Sequence, residues 1–177
     1  NHVAVVNDGT RGLSRLFKRL DPVSGRRRGR PATFVVDDAV RSAVGLFEAA
    51  LADAHIFVEI DIDPALTAHG YVEDFQAAAL NILENAIYWI STASSLDRKI
   101  CISATIHQQT LRVAISNNGP TIDGSYVPRL FQVGSSLKAD GTGLGLAIAK
   151  EACRASKGDL YYDENQADTT FVIEFPV

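Results

Sequence analysis

Cysteine and histidine are scarce in this chain, and neither is grouped. The two cysteines, Cys101 and Cys153, fall in separate apolar patterns and read as small buried residues rather than as a disulfide or a thiolate metal site. The four histidines, His2, His55, His69 and His107, have no ligand spacing, which argues against a histidine-built metal centre. No apolar run reaches the roughly 18 residues a membrane-spanning helix needs, and no secretory leader is visible. The expectation is a cytoplasmic chain without membrane contact. A basic excess is missing too: 17 Lys and Arg stand against 21 Asp and Glu, a net charge of −4. That balance argues against nucleic acid as the main partner, because a phosphate-backbone binder carries a basic face.

What the chain does have is a core. At 177 residues, 46% hydrophobic and 21% charged, it is long enough for one domain plus part of a neighbour. The first 31 residues read as that neighbour. Val5 to Leu20 places Val6, Leu13, Leu16, Phe17 and Leu20 at helical spacing, and Asp21-Pro22 ends the run. Arg26-Arg27-Arg28-Gly29-Arg30-Pro31 then reads as a solvated linker in preference to a nucleic-acid patch.

The main domain is expected over residues 32–177. Asp37 or Asp38 is placed to cap a helix with Val40, Val44, Phe47, Ala50 and Leu51 on one face. His55 to Asp61 alternates as a strand, and a long helix is expected from Tyr71 to Ser91 with Val72, Phe75, Ala79, Ile82, Leu83, Ala86 and Ile90 inward. Ile100 to Ile106 and Leu111 to Ser116 alternate around a hairpin connection. A last helix from Gly143 to Ser156 and strands at Asp159 to Asp163 and Thr170 to Phe175 complete the count. Half-apolar strands with three helices give a two-layer α+β sandwich, a mixed and mostly antiparallel sheet covered on one face.

Several stretches carry chemistry. In Asp140-Gly141-Thr142-Gly143-Leu144-Gly145-Leu146, three alternating glycines run into a helix start. Glycine lets backbone approach a ligand closely, and the unpaired N–H groups of a first helical turn favour a phosphate. The spacing is not the Gly-x-Gly-x-x-Gly of a dinucleotide fold, and no strand precedes it. Asn81 and Asn85 lie four apart on one helical face, which suits either helix–strand hydrogen bonding or a shared polar ligand. Asn85 Oδ1 is an oxygen of the kind magnesium takes when phosphates complete its shell. Gly134, Ser135, Ser136 and Gly141 suggest a lid, with Lys138 bringing positive charge towards phosphates.

The order of these pieces resembles a known family. Asn81-Ile82-Leu83-Glu84-Asn85-Ala86 looks like an N box, and Asn117-Asn118-Gly119-Pro120-Thr121-Ile122 like a first glycine box. Leu130-Phe131 with Gly134-Ser135 resembles an F box, and Gly141 to Leu146 a second glycine box. Together, over about Val36 to Val177, they resemble the catalytic and ATP-binding domain of sensor histidine kinases, in the superfamily shared with gyrase, Hsp90 and MutL. The resemblance implies the Bergerat fold, with ATP and Mg2+ as ligands. It implies that Asn85 coordinates the magnesium, Asn117 meets the adenine amino group, Gly119 lets the backbone approach the base, and Ile122 packs on it. Gly141, Thr142, Gly143 and Gly145 would wrap the phosphates, with Leu144 and Leu146 as anchors. Lys138 would ride on the lid, and Phe131, Tyr88 and Thr169 would belong to the same site. Asn81 stands where hydrolysing relatives carry a glutamate; an amide is no general base, which points to phosphoryl transfer.

Three positions depart from the family pattern: Asn117 for aspartate, Tyr88 for a lysine or arginine, and Thr121 for glycine. No histidine has the surroundings of a phosphoacceptor, so the chain is read as beginning in the last dimerisation helix. Its implied partners are the histidine-bearing dimerisation domain of the same protein, a homodimer, and a response regulator. On this reading the chain alone binds ATP and phosphorylates nothing within itself. The alternatives are a nucleotide-sensing module that has lost catalysis, and a serine kinase of the same superfamily.

Overall fold

The computed structural model describes residues 30–94, 97–138 and 141–177. The helix expected over Val5 to Leu20 and the linker as far as Gly29 lie outside the described residues. Strand β1 (Ala32–Val35) runs directly into helix α1 (Val36–Gly45), followed by a short helix α2 (Glu48–Asp53). The sequence reading had one helix here. It breaks because Gly45 is a poor helix former and Leu46, 73% exposed, has no core to join. Phe47 then turns the chain, donating its N–H to Val44 O at 2.9 Å and accepting from Leu51 N–H at 2.8 Å. Asp37 and Asp38 are not caps. They occupy the first turn of α1, where carboxylates complement the helix dipole, and Asp37 accepts from Arg41 Nε at 2.7 Å.

Strand β2 (Phe57–Asp61) keeps the expected alternation, Val58 and Ile60 facing inward and Phe57 65% exposed outward. Strand β3 (Thr67–Gly70) pairs antiparallel with β1 in a two-stranded sheet that the sequence reading did not contain. Helix α3 (Val72–Thr92) follows within one residue of the expected bounds and buries Phe75, Ala79, Ile82, Leu83, Ala86 and Ile90. Strands β4 (Lys99–His107) and β5 (Thr110–Asn117) form the expected hairpin, its two turn residues Gln108 and Gln109 at φ 49° and 65°. Helix α4 (Gly145–Ala155) starts two residues late, because Gly143 holds a left-handed φ of 66°. Strands β6 (Asp159–Tyr162) and β7 (Thr169–Pro176) close the chain.

The main sheet has the order β2-β4-β5-β7-β6; β2 and β4 are parallel and every other pair antiparallel. Ile100, Ile102, Val113, Ile115, Leu160, Ile173 and Phe175 point to one face, where they share a core with Phe75, Ile82, Leu83, Ala149 and Cys153 of the helices. Phe34 of β1 joins Phe75 and Phe175 in an aromatic cluster with centroids 5.5–6.2 Å apart, so the small sheet closes one end of that core. The other face is polar, crossed by the ion pairs Arg112–Glu174 at 2.8 Å and Lys99–Glu59 at 2.6 Å. This is the two-layer α+β sandwich, mixed and mostly antiparallel. Among the described residues it has four α-helices where three were expected for this domain.

The ends of the two main helices are tied together. Tyr71 N–H donates to Ser156 Oγ at 3.2 Å, and the Ser156 hydroxyl donates to the buried Asp74 at 2.9 Å. One hydroxyl therefore links the start of α3 to the residue that ends α4.

Candidate nucleotide site

Three loops lean on α3 at successive levels. At Asn81 the contact is with Gly145, where an added Cβ would lie 2.9 Å from Asn81 Oδ1. One turn on, Asn85 Oδ1 accepts from Lys138 Nζ at 2.6 Å. Near the helix end, Gly119 packs so closely that a Cβ there would be 3.3 Å from Ile90 N. From residue 81 to residue 90 is about 13 Å along the axis at 1.5 Å per residue. Between these contacts lies a cavity of about 530 Å³, also walled by Ile122, Leu130, Leu146 and Phe171.

The first level is built for anionic groups. Gly141, Thr142, Gly143 and Gly145 line the cavity, and α4 begins at Gly145, so its first-turn N–H groups lie at the wall. Gly143 accepts the Gly134 N–H at 3.1 Å, and a Cβ on Gly143 would collide with the Gly134 and Ser135 backbone. Glycine is therefore required there by both space and φ. Lys138 is the one cationic side chain among the described residues of the lining. Its Nζ also sits 4.6 Å from the Tyr88 ring centroid, a cation–π contact. Asn85 Oδ1 thus already faces a positive charge. The ammonium stands in for the cation that an oxygen so presented can bind, and the donor type fits magnesium.

The far level joins apolar walls to one buried polar pair. Asn117 ends β5 on its inward face, 4% exposed, opposite Thr169 on β7. Its Nδ2 donates to Thr169 O at 3.2 Å, and its Oδ1 accepts from Gly119 N–H at 3.1 Å. Thr169 Oγ1 in turn donates to Pro120 O at 3.1 Å. Asn118 fixes the loop from behind, accepting from Lys99 N–H at 2.8 Å and donating to Asp97 O at 2.9 Å.

Of the residues singled out in the sequence, Asn85, Tyr88, Asn117, Ile122, Lys138, Gly141, Thr142, Gly143, Gly145, Leu146 and Thr169 line this one cavity. Four do not. Asn81 is buried beneath the glycine loop, its Nδ2 donating to Ala77 O at 2.7 Å and its Oδ1 lacking a partner. Gly119 lies behind Asn117, and Leu144 is the N-cap position of α4. Phe131 is an anchor: its ring meets Phe171 edge-on at 6.3 Å and carries Lys150 Nζ 4.6 Å from its centroid. Lining residues that the sequence reading passed over include Trp89, Asp123, Tyr126 and Leu137. Trp89 was open to prediction, four residues past Asn85 and so on the same helical face. Tyr126 was not, because it belongs to irregular chain; its hydroxyl accepts from Ser135 Oγ at 2.8 Å.

Over residues 70–177 the sequence matches the family described as histidine kinase-, DNA gyrase B-, and HSP90-like ATPase. The chain belongs to this family. Among curated relatives, the probable C4-dicarboxylate sensor kinase of Bacillus subtilis (strain 168) is 33% identical over 99 residues, 55% of this chain and 18% of that protein. The chain thus spans less than a fifth of that relative's length. Among solved structures, full-length ShkA in complex with AMPPNP superposes with a TM-score of 0.80 at 18% identity, over 98% of this chain and 37% of that one. Histidine kinase ThkA in complex with the response regulator TrrA gives a TM-score of 0.72 at 21% identity, over 97% of this chain and 50% of that one. The Bergerat fold expected from the sequence is therefore the fold of this chain.

Proposed function

We propose that this chain is the ATP-binding catalytic domain of a sensor histidine kinase, which passes the γ-phosphoryl group of ATP to a histidine on a dimerisation domain. The observation that carries the proposal is the convergence, in one cavity, of the glycine loop, the Lys138–Asn85 pair and the buried Asn117–Thr169 pair. The triphosphate lies along the glycine loop and the first turn of α4, and the base enters between Ile122 and Phe171 to meet Asn117. Asn85 holds magnesium, which neutralises charge on the phosphate oxygens when bound. Lys138 leaves Asn85 for the phosphates, and Tyr88 keeps its ammonium near them.

Asn81 supports transfer over hydrolysis. It is an amide, it lies beneath the loop, and it cannot take a proton from water at neutral pH. None of His55, His69 and His107 lines the cavity; in this reading the acceptor histidine is supplied by the dimerisation domain, in a homodimeric kinase that serves a response regulator. Among the described residues no helix is long and apolar enough to cross a membrane; we place the domain in the cytoplasm.

The test is calorimetric titration of ATP with and without magnesium, beside Asn85→Ala. Magnesium-dependent binding that the variant loses is expected, followed by phosphotransfer to a separately supplied acceptor domain. Absence of heat at millimolar ATP would sink the reading. Binding without transfer would favour a second one, a nucleotide-sensing module that no longer catalyses. Tyr88 motivates that reading, since it places an aromatic ring where a fixed cation would serve phosphoryl transfer.

A further inference from the structure

Asn117 is buried at the base end, and both of its polar side-chain atoms are held. A carboxamide carries two lone pairs on oxygen and two hydrogens on nitrogen. One lone pair is used by Gly119 N–H and one hydrogen by Thr169 O. A flipped amide would set Nδ2 against the Gly119 N–H and Oδ1 against the Thr169 carbonyl, so the two backbone partners fix the orientation. What remains is one acceptor and one donor, on a residue that lines the cavity and is shut off from bulk water. A carboxylate in the same place would offer acceptors alone.

That difference decides which ring edge can be met. Adenine presents a 6-amino donor beside the N1 acceptor. Hypoxanthine and guanine present a 6-oxo acceptor beside an N1–H donor. An acceptor-only site leaves the 6-oxo edge facing like charge, the situation in which polar sites discriminate most strongly. A carboxamide meets either edge after the base slides by the spacing of its two atoms. Of the lining, Ile122, Leu130 and Phe171 are apolar and impose no hydrogen-bond register against that slide.

We infer that Asn117 makes this a site for purine nucleoside triphosphates that does not exclude a 6-oxo base. The inference rests on the nucleotide-binding reading above and adds the substrate class to it.

The experiment is calorimetry of magnesium with ATP, ITP or GTP against the wild-type chain and Asn117→Asp, with ITP also titrated into ATP-saturated protein to prove a shared site. In the wild type, ITP is expected within about tenfold of ATP, and Asn117→Asp is expected to widen the ratio against ITP by about tenfold or more. GTP much weaker than ITP would locate a clash at the 2-amino group and leave the inference standing. ITP weaker than ATP by more than that factor in the wild type overturns it while the nucleotide site survives. So does an unchanged ratio in a folded Asn117→Asp variant. If neither nucleotide binds, the site reading fails and the inference falls with it. The aspartate would face the Thr169 carbonyl; should it unfold the chain, the wild-type ratio decides alone.

Discussion

Lys138 shows how a single side chain can hold a binding site in order before a ligand arrives. Its ammonium is shared between Asn85 Oδ1 at 2.6 Å and the face of Tyr88. The ring matters in this arrangement and the hydroxyl does not. Tyr88→Phe is therefore expected to bind ATP like the wild type, whereas Tyr88→Leu loses about 0.5–2 kcal/mol of affinity in calorimetry. Equal losses in both variants would show that the hydroxyl, not the ring, does the positioning. The two cysteines make a second contrast. Burial pushes the Cys153 thiol up to about 12, with Asp159 and Asp74 adding to the effect, while Cys101 is only half-buried. An unfolded thiol ionises near 9.0, so the unfolded chain releases this proton first. Stability from this group is full below that pH and falls as pH rises from 9.0 towards about 12. At pH 8, iodoacetamide is expected to modify Cys101 in the native protein and to reach Cys153 only after denaturation, as read by mass spectrometry.

At the scale of elements, α3 and α4 depend on each other through Ser156. Removing its hydroxyl takes an acceptor from Tyr71 N–H and a donor from the buried Asp74. Ser156→Ala is expected to cost about 1–3 kcal/mol in urea unfolding with the denaturant slope unchanged. Nothing local announces this contact, since the partners are 85 and 82 residues apart. The elements that were legible in the sequence are those with sustained periodicity. Helix α3 repeats its apolar positions over six turns, and β4 and β5 alternate without interruption, so each was placed to within a residue or so. Strands β1 and β3 have four residues each and no alternation to read; they exist because Phe34 reaches Phe75 and Phe175. The α1–α2 break was hidden for the opposite reason. Its apolar positions continue in helical phase across a glycine that stops the helix.

For the molecule as a whole, the candidate site was more legible than the fold. Glycines, paired asparagines and a lysine in fixed order survive as signals where single strands do not, and most of them reach one cavity. Those that miss it explain the limit. Asn81 and Asn85 share a helical face, yet about one turn's difference in level puts one under the glycine loop and the other beside Lys138. Sequence spacing gives the face of a helix but not which loop will cover it.

The three levels of contact on α3 also separate what can vary in this protein from what cannot. The span between the Gly119 contact and the Gly145 contact is set by a rigid helix, while the loops only furnish the jaws. An insertion between Ser135 and Lys138 would change how the jaws close; an insertion of one residue between Asn85 and Ile90 would turn the two ends about 100° apart. The length of the cavity is thus fixed by the part of the chain least able to drift, and novelty is left to the loops.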